Sequence, residues 1–183
     1  MKNKKTRTMN ILLIILVIIA IPLVWAAFLT DDYSIERNIV INQPKQKVFD
    51  YIKYLKNAGT YNKWIMMDPH LRKGYSGTDG RPGFVYSWDS DNKNVGKGEQ
   101  EIKAVREGER VEYEIRFIKP FEGVSNAWLG TEATQGGGTR VTWVFSGKRG
   151  YGMKIFHLLF NLKKKLGEDL QTSLENLKTV LEK

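Results

Sequence analysis

The side chains whose types and spacing point to chemistry are Arg37 and a set of aromatic residues, and the chemistry they suit is binding rather than bond-making. Phe84, Tyr86 and Trp88 alternate along one segment, Tyr113 and Phe117 along a second, and Trp143 and Phe145 along a third, so each group shares one face of an extended chain. On one concave surface these rings would line a cavity for an apolar ligand, and they are also bulky enough to fill that space as a solid core. Arg37 shares the parity of Ile35, Ile39 and Ile41 and so points toward the apolar face. A guanidinium there needs an acceptor, either water at the rim or the carboxylate or phosphate of a ligand.

Hydrolytic and metal chemistry find little to work with. They require convergent histidines, carboxylates or a nucleophile, and the chain holds only His70 and His157 and no cysteine. His157 lies at helical spacing from Met153 and Lys154 and reads as a surface or packing residue. His70 follows Pro69 in a loop, with Asp68 as its one nearby carboxylate. No HExxH, GxSxG or phosphate-loop motif occurs, and Gly136, Gly137 and Gly138 lack the strand-to-helix context of a phosphate loop. No metal or cofactor is expected.

The elements that must position these residues follow from the change of period along the chain. Ile35, Ile39 and Ile41 alternate as a strand; Pro44 then opens a helix carrying Val48, Phe49, Ile52 and Leu55. A short helix or turn is expected from Ala58 to Trp64. After Pro69 come six short strands separated by turn chemistry: Leu71 to Tyr75, the segment of Phe84 to Trp88, one carrying Gln100, Ile102 and Ala104, one carrying Val111 to Phe117, Val124 to Ala133, and one around Val141 to Phe145. In Val124 to Ala133, parity leaves open whether Trp128 or Leu129 faces inward. From Tyr151 the chain reads as helix, with Leu159, Leu162, Leu166, Leu170, Leu174, Leu177 and Leu181 in one stripe and Gly167 as the expected break. This order predicts an α+β domain, one strongly curved antiparallel sheet with a long C-terminal helix over its concave face.

A different solvent is implied at the start of the chain. Ile11 to Leu29 is an uncharged apolar run that as a helix rises about 28 Å, enough to cross a bilayer. Bulky residues around Trp25 make a poor signal-peptidase site, so an anchor is favoured over a cleaved signal. Lys2, Lys4, Lys5 and Arg7 precede the run, whereas Asp31 and Asp32 follow it, so the N-terminus is expected in the cytosol and the domain outside. The expected organisation is a basic tail over 1–10, a transmembrane helix over 11–29, a linker over 30–33 and one domain over 34–183. The tail also carries four of the nine net positive charges of the 183-residue chain. The remaining excess, spread over a whole domain, suits solubility or anionic lipid rather than nucleic acid. Lys163, Lys164 and Lys165 form either a solvated helix face or a contact with an anionic membrane surface.

The run Ile35-Glu36-Arg37-Asn38-Ile39-Val40-Ile41, followed by Pro44 and Val48-Phe49, resembles the opening of the START-like, or SRPBCC, superfamily. Gly77, Gly83, Trp88, the turn Val95-Gly96-Lys97-Gly98, Phe117 with Pro120, Gly138-Thr139-Arg140-Val141-Thr142-Trp143 and the closing Leu174 to Lys178 resemble its polyketide-cyclase-like branch. The resemblance spans about Ser34 to Lys183. It implies a helix-grip fold, with a seven-stranded sheet around the C-terminal helix and a cavity between them for a hydrophobic small molecule or lipid. Members of the branch mostly have no demonstrated reaction. The expected function is therefore a membrane-anchored binding module without covalent chemistry. The alternatives are a cyclase or aromatase-type enzyme and a structural envelope domain with a filled core.

Overall fold

A computed structural model describes the backbone of residues 2–183 and the side chains of residues 7–155 and 161–183. The side chains of Lys2, Lys4, Lys5, His157 and Leu159 thus lie outside the described residues. The first element is α1 (Lys2–Phe28), which contains Pro22 and over Arg7–Phe28 is long and apolar enough to cross a membrane, a test that a signal sequence also passes. Strand β1 (Asp32–Ile41) starts two residues before Ser34, so part of the expected linker is strand.

Helix α2 (Lys45–Ile52) opens directly after Pro44 and buries Val48, Phe49 and Ile52. A 3-10 turn (Leu55–Thr60) and α3 (Lys63–Met66) follow. The Asp79 carboxylate accepts from the backbone N–H groups of Leu55, at 2.9 Å, and Lys56, at 3.1 Å, satisfying donors that the start of a helical turn leaves unpaired. Strands β2 (Arg72–Ser76), β3 (Val85–Asp89), β4 (Lys97–Arg106), β5 (Arg110–Lys119), β6 (Gly123–Ala133) and β7 (Thr139–Lys148) complete one antiparallel sheet in the order β1-β7-β6-β5-β4-β3-β2. The seven strands and the helix that covers them are the helix-grip architecture expected from the sequence.

The two sheet faces differ as the alternation predicts. On β5, Val111 and Tyr113 are buried, whereas Glu112, Glu114 and Arg116 lie on the convex face. There Arg116 bonds Glu114, Glu101 and Glu99 across two strands, and its guanidinium holds the Glu101 carboxyl below the usual carboxylate range. On β6 it is Leu129 that faces inward; Trp128 lies on the convex side beneath the Arg110 guanidinium, 5.5 Å from its ring.

The C-terminal helix is broken, but not at Gly167. Helix α4 (Tyr151–Phe160) and α5 (Leu162–Leu181) meet at Asn161, whose φ of 46° is left-handed, a conformation Asn tolerates better than most residues with a Cβ. Gly167 lies inside α5, where its missing side chain makes room for Arg37: a Cβ there would overlap the guanidinium. Leu170, Leu174 and Leu177 point from α5 onto the sheet and are fully buried in one cluster with Phe49, Ile52, Tyr61 and the inner residues of the strands. The α3–α5 contact is polar. Lys63 pairs with the buried Asp169, and Ser173 accepts from the Lys63 N–H at 3.0 Å.

Candidate functional site

Strand register places the expected site residues in rows across the concave face. One row runs Phe84, Ile102, Tyr113, Ala127, Phe145, Ile35. The next runs Tyr75, Tyr86, Gln100, Ile115, Ser125, Gly147, Tyr33, and beyond it lie Trp88, Gly98, Phe117 and Gly123. On the other side of the first row, Val111, Leu129, Trp143 and Arg37 are neighbours.

Phe84, Tyr86, Trp88 and Phe117 come together with Tyr75 in a continuous chain of rings. The centroids are 6.1 Å apart for Tyr75 and Phe84, 5.6 Å for Tyr75 and Tyr86, 6.0 Å for Tyr86 and Trp88, and 6.3 Å for Trp88 and Phe117. Trp88 has a structural share in this cluster: its indole N–H donates to the Val95 carbonyl at 3.2 Å, and its ring covers Gly98, where no side chain would fit. Trp143 stands apart, edge-on to Tyr61 at 6.2 Å, and Phe145 is 6.2 Å from Tyr33. Tyr113 is spoken for, since its hydroxyl donates to the Ile52 carbonyl at 3.3 Å.

Among the described residues, two buried polar atoms on this face have no hydrogen-bond partner, the Tyr86 hydroxyl and the Trp143 indole nitrogen. Burial pushes the Tyr86 phenol above its ordinary value, so it stays protonated and remains a donor. An unpartnered buried donor costs about 1–3 kcal/mol, so an acceptor brought within reach of either would be stabilising. Arg37 lies directly across from Trp143 in the β1–β7 register. It is half-buried, donates from Nη1 to its neighbour's carbonyl, that of Glu36, at 2.7 Å, and has no carboxylate partner among the described residues. Tyr33, Tyr61, Tyr75, Gln100 and Ser125 also belong to this face or to the helices over it and are not among the site residues expected from the sequence. Tyr33 shares the parity of Ile35, Gln100 that of Ile102 and Ser125 that of Ala127, which is the signal that would have found them.

His70 is exposed, and its backbone N–H donates to Asp68 at 2.8 Å, so the pair forms a turn on the surface. Among the described residues no cluster of histidine and carboxylate groups could hold a metal ion. A groove of about 720 Å³ lies along α1, lined by Ile21, Val24, Trp25 and Phe28 among others, away from the concave face.

A family model described as polyketide cyclase / dehydrase and lipid transport matches residues 32–182. The chain belongs to this family. No curated protein matches it. Among solved structures, protein MLL2253 from Mesorhizobium loti is 15% identical, with a TM-score of 0.59 over 82% of this chain and 97% of its own. A protein of unknown function from Staphylococcus aureus, SA2116, is 10% identical, with a TM-score of 0.60 over 82% and 94%. A protein from Thermobifida fusca reaches a TM-score of 0.61 at 13% identity, over 81% and 92%. These likenesses establish the fold. Membership of the polyketide cyclase / dehydrase and lipid transport family supports a module of the SRPBCC type that binds hydrophobic ligands.

Proposed function

We propose that this chain is a membrane-anchored module that holds a hydrophobic small molecule or lipid against the concave face of its sheet, without covalent chemistry of its own. The observation that carries this reading is the pair of unpartnered buried donors, Tyr86 Oη and Trp143 Nε1, set among apolar and aromatic side chains. A ligand with an apolar body and a few acceptors would complete them, which is the composition of a small-molecule site. In this reading α1 spans the membrane, the basic residues before it remain in the cytosol and the domain lies on the other side.

The direct experiment is native mass spectrometry of the full chain purified in mild detergent. A discrete bound mass of lipid or apolar metabolite is expected; release of a ligand-free chain that also takes up no fluorescent fatty acid would leave the aromatic face as core alone. Accumulation of a cyclised product from a supplied poly-β-ketone would instead establish the cyclase alternative.

Stability separates the two tyrosines. Tyr86→Phe removes a hydroxyl that has no partner, so the ligand-free chain should hold its urea midpoint or gain about 1 kcal/mol. Tyr113→Phe deletes the bond to the Ile52 carbonyl and should lose about 1 kcal/mol. Equal losses in both would mean that the Tyr86 hydroxyl is already satisfied without ligand.

A further inference from the structure

We propose that the open end of the concave face rests directly on the lipid surface, with α4 and the tip of the β5–β6 hairpin as its points of contact. The proposal builds on the reading of α1 as an anchor.

Strand register fixes what lies at that end. Asp32 pairs with Lys148, Ser125 with Gly147 and Phe117 with Gly123, so the start of β1, the end of β7 and the β5–β6 turn share one edge of the domain. From this edge α1 departs and α4 begins. β5 is three strands from β1, so the hairpin tip stands roughly 14 Å to the side of the anchor. At the tip Phe121 is 63% exposed, and beside it Val124 is 55% exposed. Along this edge the inward-facing residues Tyr33, Trp88, Ile115 and Phe117, with Leu166 of α5, are only half-buried. A half-buried apolar edge, an exposed Phe and the exit of a membrane-spanning length of helix thus lie together.

Helix α4 supplies an independent observation. The Tyr151 hydroxyl donates to the Leu23 carbonyl at 2.6 Å. Leu23 lies about 9 Å inside the outer end of the apolar run, so a medium that covers the last turns of α1 also reaches the start of α4. The sequence of α4 is Tyr-Gly-Met-Lys-Ile-Phe-His-Leu-Leu-Phe, and Lys154, its one lysine, is turned onto Asp31 at 2.6 Å and buried. Its charge is therefore not presented to lipid. The left-handed Asn161 lets α4 leave the line of α5 and pack on α1. Around this edge Lys119, Lys148, Lys163, Lys164 and Lys165 are exposed, a cationic rim suited to anionic headgroups.

The chain has no cysteine, so one introduced cysteine gives a unique label. The test uses the full chain in phosphatidylcholine and phosphatidylglycerol vesicles whose acyl chains carry bromine, with a fluorophore at one position per variant. Gly152→Cys samples α4 and Gly136→Cys the far end of the sheet, both positions where a Cβ meets nothing within 4 Å. Glu122→Cys samples the hairpin tip without removing Phe121, and Ile15→Cys reports on the anchor. Emission at 15, 152 and 122 should fall by most of its intensity, and emission at 136 should stay at its value in unbrominated vesicles. If 15 is quenched and either 152 or 122 behaves like 136, the lipid contact is overturned while the anchor stands. An unquenched label at 15 overturns the anchor itself, and the contact with it.

Discussion

Leu174→Ala should cost the domain about 3–4 kcal/mol. Leu174 lies at the centre of the stripe that α5 presents to the sheet and is fully buried in the cluster that includes Phe49, Tyr61 and Trp143. Truncation removes its transfer free energy and leaves a cavity, and α5 is poorly placed to collapse into it. Asp169 and Ser173 hold the helix to Lys63, and Glu182 holds its end to the Asn42 N–H. On the exposed side, Glu175→Ala should stay within about 0.5 kcal/mol. Urea unfolding of the detergent-solubilised chain reads both. A shared small loss would mean that α5 does not close the core, and the helix-grip packing inferred from the leucine stripe would have to be abandoned.

The parts of this architecture legible in the sequence are those that a single period determines. Val111, Tyr113, Ile115 and Phe117 alternate with three charged residues, and that alone sets both faces of β5. The leucine stripe likewise sets which side of α5 is covered. What the sequence left open depended on partners in space. Trp128 and Leu129 are both apolar, and only the pairing of Ala127 with Tyr113 and Phe145 decides that Leu129 goes in. Gly167 looks like a helix breaker by propensity, yet a helix tolerates one glycine, and here the bare backbone admits the Arg37 guanidinium while Asn161 makes the break. Gln100, Ser125 and Tyr33 share inward parity with Ile102, Ala127 and Ile35, but a polar or amphipathic side chain at such a position does not by itself distinguish a site from a rim. For the same reason the unpartnered Tyr86 and Trp143 donors could not be seen beforehand: whether a donor is satisfied is a property of its surroundings, not of its spacing.

In the reading proposed here, those surroundings would make Arg37 the residue most able to choose among ligands. It faces Trp143 across the β1–β7 pair, and directly opposed side chains on adjacent strands have Cβ atoms about 5 Å apart. Among the described residues, a guanidinium with no carboxylate partner and an indole N–H with no acceptor thus belong to directly opposed residues. One carboxylate or phosphate oxygen pair between them would satisfy both, with the charge-assisted bond to Arg37 as the stronger. Arg37→Met keeps the length and apolar stem of the side chain and removes the charge. It should lower affinity for fatty acids and other acidic amphiphiles by about 10- to 100-fold, equivalent to about 1.5–3 kcal/mol, and leave the corresponding alcohols and methyl esters unchanged. Arg37→Lys retains the charge but not the planar fork, so it should recover only part of the loss. Fluorescence displacement with matched acid and ester pairs reads the difference, at equal urea midpoints for parent and variants. Equal affinities for acid and ester in the parent chain would place Arg37 at a solvated rim, where water rather than ligand supplies its acceptor.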